Sequence, residues 1–149
     1  MPTREELSLK IRDEKRSRSL TWKKIAEAIG PGSPILYTAA LLGQMTLTKE
    51  EAESAARLFG LSEVEVSLLT EPPYRGSLPA LPPTDPLIYR FHELVQTYGT
   101  TWKALIEEEF GDGIMSAIDF DMQMERERTP KGDRVKISMS GKFLPFKRF

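Results

Sequence analysis

The sequence contains no cysteine. That one absence removes disulfides, thiolate nucleophiles and cysteine-ligated metals together. Histidine occurs once, as His92, so a zinc site would need ligands the chain hardly has. No apolar run approaches the roughly 20 residues that span a bilayer. The opening MPTREELSLK has no apolar stretch of the kind found in a secretory signal. The expected location is therefore cytoplasmic, with no membrane partner. An excess of one charge is also missing. The 21 Lys and Arg residues against 22 Asp and Glu leave a net charge of -1, so no global field draws the chain to nucleic acid or to an anionic surface. What remains is 149 residues with 40% hydrophobic and 29% charged side chains, the balance of a globular protein of one domain or two small ones.

Helix signals dominate the first seventy residues. Thr3 with Glu6, Thr48 with Glu51 and Ser62 with Glu65 each have capping-box spacing. Thr21 can cap a helix whose apolar face is Trp22, Ile25, Ala26 and Ile29, closed by Gly30. Ser33-Pro34 starts another, carrying Ile35, Tyr37, Leu41 and Leu42 up to Gly43. Ala52, Ala55, Ala56 and Phe59 line a fourth, and Val64, Leu68 and Leu69 mark a fifth. Between Glu71 and Asp85 stand Pro72, Pro73, Pro79, Pro82 and Pro83, a density that denies the chain a helix or central strand and predicts an extended connector.

Beyond the connector, Pro86 lies in the first turn of a helix capped by Thr84 or Asp85, with Phe91, Leu94, Val95 and Tyr98 as its stripe. Gly99 is expected to end it. Thr100 or Thr101 is expected to start a second helix with Trp102, Leu105, Ile106 and Phe110, ended by Gly111. Ile118, Phe120, Met122 and Met124 then alternate with polar residues, as do Val135, Ile137 and Met139 beyond a turn at residues 129–133. This is the period of half-buried strands. Two strands alone are marginal in water, and about 65 residues bury little of their own surface. The second half is therefore expected to pair or interleave with further copies of the chain. The expected architecture is α+β, mainly α. It comprises a helical bundle (1–71), a proline-rich linker (72–84), and a domain of helices and intersubunit strands (85–149).

Arg90 and Glu93 are three residues apart and share a helix face beside the apolar stripe. Ser116 follows Gly111-Asp112-Gly113, a turn whose glycines would let backbone amides approach a small anion. The plain alternatives are a surface ion pair and a helix C-cap. A serine hydrolase would need Ser116, His92 and an acid to converge, and no GxSxG elbow surrounds Ser116. Glu107, Glu108, Glu109 and Asp112 read as a solvated acidic face rather than a metal site, because consecutive acids on a helix point in different directions.

TWKKIAEAIG followed by SPILYTAALLG resembles the helix-turn-helix bundle of phage-repressor-like domains. The helix in the recognition position, however, carries no charged residue between Pro34 and Leu42. Only Gln44 beyond it suits base reading. Basic residues gather at Lys10, Arg12, Lys15, Arg16 and Arg18, but Asp13 and Glu14 interrupt them. A DNA-binding regulator with a C-terminal oligomerisation domain is the competing reading.

DPLIYRFHELVQTYGTTWKALIEEEFGDGIMSAIDF and the closing GKFLPFKRF resemble cyanase, also called cyanate hydratase or cyanate lyase. The spacing from YRF through YGTT and FGDGI to SAI carries the likeness, and TWKKIAEAIG and YTAALLGQ extend it loosely into the first half. The resemblance implies a lyase of cyanate metabolism. Cyanate and bicarbonate react to give carbon dioxide and carbamate, and carbamate then releases ammonia. It implies Arg90, Glu93 and Ser116 as catalytic residues. It implies no metal or organic cofactor, with bicarbonate as co-substrate; that no nucleic acid is a partner is the expectation from the charge pattern above. It further implies a homodecamer of five dimers with sites shared between subunits.

Overall fold

The computed structural model describes residues 1–76, 78 and 80–149. Pro79, one of the prolines in the expected linker, lies outside the described residues. The chain divides into two compact units, Met1–Ser77 and Leu78–Phe149.

The first unit holds five helices: α1 (Arg4–Ser17), α2 (Trp22–Ile29), α3 (Pro34–Leu41), α4 (Lys49–Phe59) and α5 (Glu63–Thr70). Their starts follow the local chemistry of the sequence. The three capping boxes at Thr3, Thr48 and Ser62 are closed in both directions, and Thr21 and Ser33 accept from the amides of Lys24 and Leu36. The core runs from Leu7, Ile11 and Ile25 through Tyr37, Leu41 and Leu47 to Phe59 and Leu69. Arg4 reaches beneath it, its guanidinium donating to the carbonyls of Leu68, Ala40 (3.0 Å) and Met45 (2.7 Å). These are carbonyls at or just beyond helix ends, where the intrahelical ladder supplies no donor. Lys10 grips Glu65 through both carboxylate oxygens at 2.8 and 2.9 Å. Gln44 is engaged as well, accepting from the Gly76 amide at 2.8 Å.

The second unit holds α6 (Pro86–Phe110), β1 (Gly113–Glu127) and β2 (Arg134–Pro145). The expected break at Gly99 does not occur: α6 is one helix of 25 residues. A glycine in a helix interior costs only about 1 kcal/mol relative to alanine and removes no hydrogen bond. Tyr98 and Trp102, with ring centroids 6.4 Å apart, bridge the site. The cap at the start is Asp85, which accepts from the amides of Leu87 and Ile88. Gly111 ends the helix with φ at 97°.

β1 and β2 pair with each other, antiparallel, within the chain. Among the described residues the sheet has these two strands and no third. β1 also starts earlier than the alternation from Ile118 suggested. From Met115 to Phe120 it advances five positions while β2 advances two, from Phe143 to Gly141, which makes a large bulge in one strand. Burial separates the two units sharply. Among the described residues, the thirteen buried hydrophobic ones lie from Leu7 to Leu69, and Ser116 is the one residue beyond them that is buried.

Candidate active site

Asp85 fixes the start of α6, and the helix then sets Arg90 and Glu93 one turn on and side by side. Arg90 Nε lies 3.4 Å from Glu93 Oε2. Both side chains are more than half exposed, so the pair does not border a buried face within the chain. The expected apolar stripe of α6 is likewise uncovered: the helix buries no residue, and Phe91, Leu94, Val95 and Tyr98 are all exposed. The Arg90 guanidinium carbon stands 5.2 Å from the centre of the Tyr89 ring. Among the described residues no carboxylate or carbonyl engages its two terminal nitrogens. Its fork of donors is open to a ligand.

Gly111, Asp112 and Gly113, before Ser116, link the end of α6 to β1. The Gly111 amide donates to Glu107, closing the helix. The Asp112 carbonyl accepts from Phe146 at 3.0 Å. Gly113 already belongs to β1, and a Cβ there would lie 2.4 Å from the Leu144 carbonyl oxygen of β2.

Ser116 sits instead at the start of the β1 bulge, 4% exposed. Its Oγ accepts from two backbone amides, Ile118 at 3.0 Å and Asp119 at 2.9 Å. Its carbonyl faces Gly141 of β2, where an added Cβ would lie 2.3 Å from that oxygen and 2.6 Å from Met115 Cγ. Sequence reasoning missed Gly141 and the two amides. The available signal was a glycine inside an alternating strand, which marks a close backbone approach.

No hydrogen bond or ion pair among the described residues joins Ser116 to Arg90, Glu93 or His92. His92 packs on Tyr89, with centroids 5.7 Å apart, so the serine–histidine pair a hydrolase needs is not formed. Glu107 pairs with Lys103, as expected of a solvated acidic face. A groove of about 410 Å³ in the second unit runs between Leu81, Pro82 and the α6 side chains Ile88, Phe91 and Val95. Its lining is apolar apart from His92.

Comparison with known proteins decides the family. The model of the cyanate lyase C-terminal domain matches residues 80–148, and that of the cyanate hydratase N-terminal region matches residues 4–73. The chain belongs to the cyanate hydratase family. It is 58% identical to a cyanate hydratase of Ralstonia pickettii, over 98% of this chain and 99% of that one. It is 57% identical to one of Dechloromonas aromatica, with the same coverage. The crystal structure of cyanase from T. urticae is similar with a TM-score of 0.75 and 35% identity, covering 93% of this chain and 96% of that one. Membership makes the chain a C–N lyase and fits its mainly α, α+β fold. It also places the five-helix bundle within an enzyme family, and the DNA-regulator reading is not favoured. No described helix is long and apolar enough to cross a membrane.

Proposed function

We propose that this cyanate hydratase family member decomposes cyanate in a bicarbonate-dependent reaction, with Arg90, Glu93 and Ser116 as its catalytic residues. A bicarbonate oxygen attacks the cyanate carbon, the nitrogen receives the bicarbonate's own proton and one more from solvent, and the bond between the former bicarbonate carbon and the bridging oxygen breaks. The products are carbon dioxide and carbamate, and carbamate takes a further proton to leave as ammonia and carbon dioxide. Bicarbonate is the co-substrate, and no metal or organic cofactor takes part.

The observation that carries this reading is the open guanidinium fork of Arg90, oriented by Glu93. Two anions about 4 Å apart repel by about 4 kcal/mol at an effective dielectric of 20. A site that unites them must present fixed cationic and hydrogen-bonding groups. Arg90 supplies charge in a planar geometry that matches a carboxylate-like anion. Glu93 restrains Arg90 through Nε and leaves the terminal nitrogens to the substrates. Ser116 supplies a neutral donor.

One arginine is little charge for a dianionic transition state. The proposed site accordingly combines Arg90 and Ser116 from neighbouring chains of a homodecamer of five dimers. The bare apolar side chains of α6 and the absence of any described link from Ser116 to Arg90 both support this. Cytoplasmic location follows from the same family reading. The test is ammonia release from cyanate by the purified protein with and without added bicarbonate. Bicarbonate-dependent release is the expected result, and no release from a folded oligomer overturns the reading.

A further inference from the structure

We infer that Gly141 is a positioning residue for the reaction: by letting β2 close on the β1 bulge, it fixes Ser116 with both hydroxyl lone pairs occupied, so that Ser116 acts only as a hydrogen-bond donor. The inference deepens the proposed function and rests on Ser116 meeting substrate.

A serine hydroxyl has two acceptor lone pairs and one hydrogen to donate. Here the amides of Ile118 and Asp119 donate to Ser116 Oγ at 3.0 and 2.9 Å. Both lone pairs are thereby used. No acceptor for the hydroxyl hydrogen is present among the described residues, although the side chain is almost wholly buried. A buried donor without a partner is costly unless something arrives to accept from it, and an anion does. The same two amides withdraw electron density from Oγ. The oxygen is therefore a poor nucleophile and a poor base, while its hydrogen is a better donor.

The bulge that aims these amides depends on the opposite strand. Gly141 is paired with Phe120, at the point where the regular ladder resumes. Its φ is ordinary for any residue, so the requirement for glycine is space alone. A side chain would meet the Ser116 carbonyl at 2.3 Å and Met115 Cγ at 2.6 Å. The carbonyl is backbone and yields only if β1 moves, and Ser116 moves with it.

The experiment compares steady-state turnover and oligomer size of the parent, Gly141→Ala, Ser116→Ala and the double variant. Loss of one preorganised donor lowers kcat by about 10²–10³-fold, which is the expectation for Ser116→Ala. Gly141→Ala is expected to lose about 10²-fold, the scale of an ångström-sized misplacement, with oligomer size unchanged. The double variant is expected to be no slower than Ser116→Ala, because Gly141 acts through a hydroxyl no longer there. Losses that multiply would overturn the assignment.

Two measurements keep the inference testable if Gly141→Ala does not fold. After exposure of the parent to excess cyanate, mass spectrometry is expected to find Ser116 free of carbamoyl groups; an adduct at Ser116 would show a nucleophilic oxygen and end the donor-only reading. Hydrogen exchange at the Ile118 and Asp119 amides is expected to be slower in the parent than in Ser116→Ala, and equal rates would deny the two hydrogen bonds. This exchange readout does not involve cyanate. A parent without turnover but with protected amides would thus sink the proposed function and leave the bulge standing.

Discussion

At the scale of single residues, Arg90 and Glu65 show that each charge has a separate consequence. Arg90 combines a permanent charge with a two-pronged donor, so Arg90→Lys tests geometry at constant charge. Its expected effect is a loss of roughly 10²-fold in bicarbonate-dependent ammonia release, the scale of a lost preorganised donor; activity near the parent's would mean that a point charge suffices. Glu65 bears on stability instead. The hydrogen bonds from Lys10, and next the amide of Ser62, hold its carboxyl below the usual range despite opposing burial. A carboxylate with a depressed folded pKa stabilises the fold above its unfolded value, about 4.3 for glutamate. That contribution disappears as pH falls through the lower folded value. Thermal stability of the first unit is thus expected to fall on acidification below about pH 4. Glu65→Gln is expected to be less stable than the parent at neutral pH and less sensitive across that window. A parallel acid response in the two proteins would remove Glu65 as the cause.

At the scale of elements, helix ends were legible and helix continuity was not. A cap is written in four adjacent residues, so Thr3, Thr48 and Ser62 announce their helices without any knowledge of the fold. Gly99 reads as a stop by the same local logic. The backbone ladder nevertheless runs through it, because a missing side chain weakens a helix by far less than a missing amide does. Asp85 is the cap that holds the start of α6, and Asp85→Ala is expected to cost about 1 kcal/mol, seen as a lower Tm of the assembled protein. An unchanged Tm would mean that packing alone fixes that end. The candidate site shows the same division. Arg90 and Glu93 were legible because helical spacing puts them on one face. Ser116 was legible as a residue through its surrounding words, but its setting was not. A bulge is a relation between two strands, and nothing in FGDGIMSAIDF states where β2 lies opposite it.

At the scale of the whole molecule, the two units differ in what they complete by themselves. The first buries a continuous core, whereas α6 buries nothing and the β1–β2 hairpin has no third described strand. That bareness was not readable from apolar periodicity, which reports that a face will be covered but not by which chain. The proposed assembly makes two checks available. Light scattering at micromolar concentration is expected to show an oligomer, and a monodisperse monomer would remove the premise of shared sites. Mixing and reassembling inactive Arg90→Ala and Ser116→Ala chains is expected to regain part of the parent activity, since some sites would then draw both intact residues from different chains. The confinement of the core to Leu7 through Leu69 also sets an order of events during synthesis. The half that leaves the ribosome first can finish folding alone, while the half that leaves last must wait for an encounter. Refolding should accordingly show a fast phase whose rate ignores protein concentration, followed by one that quickens with it, and turnover should return only with the second.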